Sequence, residues 1–289
     1  MKLVLKRKHS SSFVLPVFRK AALVLTLVLS VSAWPVLARE GVDVGGNSSF
    51  AKLVPAEQVE RAAAEQYQQM LAQADGKKAL ASKDNAQLLR LRTIAKKIVP
   101  FAIEWNPRAR NWQWEVNLIG SSQINAFCMP GGKIVFYTGI LDKLQLTEDE
   151  IAMVMGHEIA HALREHARER MAKGAATQGV LRLGGALVAS YFGIDSRITD
   201  AAAGGLANLT SLVFSREDES EADLVGMELA ARAGYDPRAG VTLWKKMGAA
   251  SKGAPPQWLS THPAGTRRIA DIEANLPKVM PLYERSRAR

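Results

Sequence analysis

The chain has 289 residues, 38 Lys and Arg against 28 Asp and Glu, a formal charge of +10, and one cysteine, Cys128. A single cysteine excludes an internal disulfide framework, and 47% hydrophobic residues exclude a disordered chain. Six of the basic residues and none of the acidic ones lie in the first 38 positions, so the remainder carries only about +4 and nucleic-acid binding loses its main support.

Lys2, Lys6, Arg7, Lys8, Arg19 and Lys20 form a basic head before the apolar run Ala21 to Trp34, which ends in Pro35 and Val36-Leu37-Ala38. This is the layout of a secretory signal peptide cleaved after residue 38, with the periplasm as the expected destination. The run is short for a membrane span, which needs about 20 residues; left uncleaved, the segment would anchor the chain to the inner membrane. Residues 39 to 54, with Gly41, Gly45, Gly46 and Asn47-Ser48-Ser49, read as a flexible leader. Pro55 to Gln73, rich in Ala, Glu and Gln, reads as a helix. A second helix is expected from Asp84 to Val99, where Leu88, Leu91, Ile94, Ala95 and Ile98 recur at three- and four-residue steps.

From Trp112 the texture turns aromatic and β-branched, and three strands are expected at Trp114 to Ile119, Gln123 to Cys128 and Lys133 to Thr138. Met129-Pro130-Gly131-Gly132 joins the last two as a tight turn, with Pro fixing φ at its second position and Gly tolerating positive φ at its third. An edge of this small antiparallel sheet, at Asn125, Ala126 and Phe127, is a candidate docking edge for an extended peptide. Thr147 and Glu150 then match a capping box opening a helix that runs to about Ala172. The Gly- and Ala-rich segment Gly174 to Phe214 reads as a helical hairpin or a lid, since Arg182 and Gly184-Gly185 argue against a membrane span.

The chemistry is concentrated in Ile151 to Leu163, where only His157, Glu158 and His161 are polar. A helix apolar on nearly every face is buried, and burying uncompensated polar groups costs several kcal/mol, so these three need a partner. Positions i and i+4 lie about 40° apart on a helix, so His157 and His161 can aim ring nitrogens at one metal ion. Glu158 is turned by about 100° and sits beside that ion, placed to take a proton from water. His166, five residues on and rotated by roughly 140°, is expected on an exposed face.

A third protein ligand must come from elsewhere. The acidic stretch Ser215 to Asp223 looks like the capped start of another helix, which Gly234 ends; Ser215 and Asp218 supply the cap. Glu219 and Asp223 share a face of it, and Leu224 and Met227 turn it inward. Glu217, Asp218 and Glu221 are expected in solvent near the helix dipole. Spacing favours Glu219 as the ligand and leaves Glu221 open.

These stretches, together with Asn125-Ala126-Phe127 through Pro130-Gly131-Gly132 to Gly139-Ile140-Leu141, Gly156 to Ala162, Gly234-Tyr235-Asp236-Pro237 and Thr261-His262-Pro263 to Arg268-Ile269, resemble the HtpX family of zinc metalloendopeptidases. That family includes soluble exported members such as BepA and LoiP. The resemblance covers most of residues 84 to 276. Its Glu-x-x-x-Asp signature falls on Glu219 and Asp223, which implies Glu219 as third ligand of one Zn2+ and Asp223 as an acid that orients a metal histidine or donates a proton. The sequence departs from HtpX in having at most one membrane segment, and from BepA in ending soon after residue 276, where BepA carries a helical-repeat domain. His262, before Pro263, is either a capping residue of the last helix or a group that reaches the metal, as a fourth ligand in a latent state or as an oxyanion stabiliser.

The expected protein is therefore α+β and mostly helical, with a small antiparallel sheet packed on a long zinc-binding HExxH helix. A signal peptide (1–38), a leader with the first helix (39–83), a metallopeptidase domain (84–276) and a basic tail (277–289) divide the chain. The expected function is zinc-dependent hydrolysis of unfolded or misfolded cell-envelope proteins, without nucleic-acid partners. The rival reading is an envelope chaperone that holds clients on its Gly174 to Phe214 segment.

Overall fold

A computed structural model of the chain describes residues 39–177, 212–251, 256–263 and 266–288. The signal-peptide stretch and most of the Gly174 to Phe214 segment lie outside these residues. Among the described residues, no helix is long and apolar enough to cross a membrane.

Helix α1 (Ala56–Gly76) turns Val59, Ala63, Tyr67 and Ala74 inward, and α2 (Ala86–Ile98) buries the five apolar residues whose spacing marked it. Three strands follow, β1 (Glu115–Ile119), β2 (Ala126–Met129) and β3 (Lys133–Tyr137). Strand alternation splits them between two cores. Val116, Leu118, Ala126, Ile134 and Phe136 face the main core with α2, whereas Ile119, Met129 and Val135 meet Ala63 and Tyr67 of α1. Buried on both faces, the sheet is a layer between helices.

The sheet is mixed rather than wholly antiparallel. Its order is β1-β3-β2, with β2 antiparallel to β3 and β1 parallel to it. The loop after β1 crosses the end of β3, where Gly139 donates its N–H to Ser121 O at 2.8 Å. A Cβ on Gly139 would meet Gln123 O at 2.4 Å, so the crossing needs that glycine. β3 is thereby placed between its two predecessors, and β2 is left at an edge. The turn between β2 and β3 is as expected, closed by Gly132 N–H to Met129 O at 3.2 Å, with Gly131 at φ +85°.

After α3 (Thr138–Leu144) comes α4 (Glu148–Leu163), opened by the Thr147/Glu150 capping box and buried from Glu150 onward. It stops earlier than its pattern suggests. Glu165 takes φ +60°, and a separate helix α5 (His166–Thr177) begins at once. The last carbonyl of α4, on Leu163, accepts from Asn106 Nδ2 at 3.0 Å and Asn47 Nδ2 at 3.3 Å. These bonds satisfy a helix end that lacks the usual glycine.

Helix α6 (Arg216–Arg232) carries the second capping box, Ser215 with Asp218, and Gly234 ends it at φ +86°. α7 (Ala239–Ala250), the short α8 (Gln257–Thr261) and α9 (Thr266–Arg287) complete the described chain.

Two expected boundaries give way. Residues 39 to 54 are docked rather than a loose leader: Val42 N–H donates to buried Glu228 Oε2 at 2.8 Å, and Arg164 Nη2 donates to Gly45 O at 3.1 Å. The Glu228 carboxylate fills the space a side chain at Gly41 would take. At the other end no separate tail begins at 277, because α9 continues to Arg287 and buries Val279 and Leu282. Residues 40 to 289 form one compact unit.

The buried Glu150 carboxylate accepts from Thr147 N–H (2.9 Å), Thr242 Oγ1 (2.9 Å) and Lys246 Nζ (2.7 Å). Burial works to raise its pKa, but the Lys246 and Thr147 bonds outweigh it and hold the carboxyl below its ordinary 4.5. A depressed folded pKa gives stability that is present above 4.5 and lost as pH falls through the lower value. Glu150→Ala is therefore expected to cost about 1–3 kcal/mol at pH 7. The gap to wild type should shrink as the pH is lowered below 4.5, as read by urea denaturation across that range.

Candidate metal centre

The centre lies where α4 crosses α6. The two backbones touch at a pair of glycines: a Cβ on Gly156 would meet Gly226 O at 2.5 Å, and one on Gly226 would meet His157 N at 2.5 Å. This approach brings the first turns of α6, with Glu219 and Asp223, against the histidines of α4.

Four buried residues, His157, His161, Glu219 and His262, each offer a ligand atom, all within 4.8 Å of one another. His157 Nε2 lies 3.1 Å from His161 Nε2 and 3.2 Å from His262 Nδ1. Glu219 Oε1 lies 3.4 Å from His161 Nε2 and 2.9 Å from His262 Nδ1. Metal bonds of about 2.0–2.1 Å in a tetrahedron separate neighbouring ligand atoms by about 3.3–3.4 Å, so the spacing fits one such ion.

Charge gives a second test of fit. Glu158, Glu219 and Asp223 are buried with Arg268 as their closest buried guanidinium, which leaves two negative charges that a divalent cation would offset. Arg268 donates to Asp223 through Nε (2.5 Å) and Nη2 (2.6 Å), and to Glu219 Oε2 through Nη1 (2.5 Å). Its guanidinium sits 3.6 Å over the Trp244 ring, which stacks on Trp258, which in turn stacks on His262.

Titration follows this layout. Burial pushes the His161 pKa well below the ordinary imidazole value and favours the neutral, ligating form. Burial works against ionisation of Glu219, yet His262 and His161 hold its carboxyl well below the usual range. The same contest at Asp223 is won by Arg268 and His157. At His262 burial favours the neutral ring, but Glu158 and Glu219 outweigh it and raise the pKa, as expected where negative charge exceeds positive.

Glu158 stands beside the quartet. Its Oε1 accepts from Trp258 Nε1 at 2.6 Å and lies 3.6 Å from His262 Nε2. Asp223 Oδ1 lies 3.0 Å from His157 Nδ1, on the far side of the ring from the quartet. Edge strand β2 runs along the same place. Asn125, Ala126, Phe127 and Cys128 line a cavity with Glu158, His161 and His262, with a space of about 30 Å³, room for about one water. A larger groove of about 550 Å³, between α2 and β1, contains none of these groups.

The site residues singled out in the sequence thus lie together, but two other expectations fail. His166 is buried, because the bend at Glu165 breaks the helical rotation, and its Nδ1 lies 2.9 Å from His161 Nδ1. Asp218 is buried in its capping box, and Glu221 is half-buried, paired with Arg164 and His166; Glu217 alone of the three is exposed. Of the two readings open for His262, the structure places its ring 3.2 Å from His157 Nε2; the residue follows α8, and its N–H donates to Trp258 O at 2.9 Å. Trp258, Arg268 and Phe214, which stacks on His161 at 4.0 Å, complete the surroundings. Of these only Arg268 had a physical signal, since two carboxylates buried a turn apart require a counter-charge.

An HExxH helix crossed by a second helix bearing a buried glutamate defines a candidate centre of the metallopeptidase type. The chain belongs to peptidase family M48, whose model matches residues 87–276. It is 39% identical over 155 residues to the mitochondrial metalloendopeptidase OMA1 of Arabidopsis thaliana, covering 54% of this chain and 30% of that one. It is 35% identical over 177 residues to the Schizosaccharomyces pombe OMA1 (60% and 50%). It is 32% identical over 176 residues to the beta-barrel assembly-enhancing protease of Escherichia coli (58% and 36%). The chain thus matches half or less of the length of these relatives.

The glycine contact can be tested. Gly226→Ala is expected to lower stability by about 1–3 kcal/mol, because the helices must part. It should also weaken Zn2+ binding measured by chelator competition. Gly248→Ala, where nothing lies within 4 Å, should leave both unchanged or gain slightly in stability.

Proposed function

We propose that the chain is a zinc-dependent endopeptidase for unfolded or misfolded cell-envelope proteins, with one Zn2+ held by His157, His161 and Glu219. The observation that carries this reading is the close approach of their donor atoms, 3.1 Å between the two rings and 3.4 Å from His161 to Glu219, beside the buried Glu158 carboxylate. A bound zinc supplies Lewis acidity, polarising a carbonyl and lowering the pKa of water towards about 7.

The remaining roles fall to the chain. Glu158 is the general base that takes the proton of the attacking water and returns it to the departing amine. Trp258 fixes Oε1 of that carboxylate and leaves Oε2 for the exchange. Asp223 accepts from His157 Nδ1, and Arg268 holds Asp223 and Glu219 in place. His262 Nδ1, 2.9 Å from Glu219 Oε1, would offer such an ion a fourth donor, which supports the latent-state reading; a catalytic zinc would need one position free, so His262 would have to withdraw for turnover.

Substrate enters as an extended strand beside β2 at Asn125, Ala126 and Phe127, which favours unfolded segments over particular side chains. The envelope location rests on the export signal read in residues 1–38. It agrees with the Escherichia coli relative named for beta-barrel assembly, while the OMA1 relatives are named as mitochondrial.

Glu158→Gln is expected to retain Zn2+ and to cleave casein about 10²–10⁴-fold more slowly than wild type. Retained cleavage would remove the general-base role, and client holding that survives both this change and chelation would favour the chaperone. His262→Ala is expected to raise casein cleavage; a loss would instead make His262 an oxyanion stabiliser.

A further inference from the structure

His166 is a fully buried histidine that the ligand quartet leaves out. The bend at Glu165 turns its ring back onto α4, where Nδ1 lies 2.9 Å from His161 Nδ1. Its other nitrogen, Nε2, lies 3.1 Å from Glu221 Oε2, and the second Glu221 oxygen is held by Arg164. We propose that His166 and Glu221 are positioning residues for the ligand His161, forming a relay that fixes both its tautomer and its ring plane.

The direction of the relay follows from the chemistry of imidazole and rests on the metal centre proposed above. A neutral ring has one N–H and one lone pair. If His161 offers the Nε2 lone pair to an ion, its Nδ1 carries the hydrogen and needs an acceptor. The atom in reach is His166 Nδ1, which must then be bare, so His166 carries its hydrogen on Nε2. Glu221 is the acceptor waiting there. With the opposite polarity, His161 would point an N–H at His157 Nε2 and Glu219, and no ion could bind. The Glu221 carboxylate, an obligate acceptor, selects the first arrangement. His157 obtains the same result directly from Asp223. Phe214, stacked on the His161 face, restricts tilt, while the relay restricts rotation within the plane.

Partners of this kind are typically worth about 10–100-fold in metal affinity. The test is Zn2+ affinity by chelator competition on the full chain, with visible spectra of the Co2+-loaded protein. His166→Leu removes the acceptor and is expected to weaken Zn2+ binding by about 10–100-fold and shift the Co2+ bands. His166→Asn, whose side-chain oxygen can take the place of Nδ1, is expected to restore most of the affinity and the wild-type spectrum. Glu221→Ala, at a half-buried position that puts folding at less risk, should weaken binding by about tenfold. Unchanged affinity in the Leu and Ala variants would overturn the relay, as would an Asn variant as weak as Leu, which would make His166 a packing residue. Failure of the wild type to bind Zn2+ would overturn the metal centre itself and is distinguishable because it appears before any substitution.

Discussion

The site depends on two helices meeting where neither has a side chain. Gly156 and Gly226 let α4 and α6 touch backbone to backbone, which brings His157 and His161 against Glu219. His157 is the next residue on α4; Asp223 lies about one turn before Gly226 and Glu219 about two. A close-packed interior cannot absorb even one methyl at such a point without moving the helices. The Glu219 carboxylate, 3.4 Å from His161 Nε2, would move with them.

The second constraint is electrostatic. Buried carboxylates would be costly alone, and Arg268, held on a row of aromatic rings, offsets part of that cost. Trp244 carries the guanidinium on its face, and Trp258 serves both as the next ring in the row and as donor to Glu158. Removal of the Trp258 ring would therefore disturb His262, Glu158 and the stack beneath Arg268 together.

Local rules made much of this legible. Thr147 with Glu150 and Ser215 with Asp218 are capping boxes in sequence and in structure, and the three polar residues of α4 announced a partner before any fold was known. The pair Glu219 and Asp223 could be placed on one face but not opposite His157, because that requires the Gly156–Gly226 contact. The bend at Glu165 had no sequence signal: distant Asn47 and Asn106 take up the Leu163 carbonyl two residues before the glutamate at positive φ. His166 was misplaced for that reason. The sheet order escaped for a similar one, since a loop passing over Gly139 leaves no trace in strand alternation. The leader looked loose because its glycines were read as freedom, whereas Gly41 is required by contact with Glu228.

That docked leader has a consequence for where the working unit begins. The family match starts at residue 87, yet Asn47 helps close α4, Gly45 receives Arg164, and Val42 occupies the Glu228 carboxylate. A fragment trimmed to the matched region would leave a buried acid without its backbone partner and loosen the corner from which His166 reaches back. The catalytic core, in the physical sense, thus starts some forty residues upstream of the region by which its family is recognised.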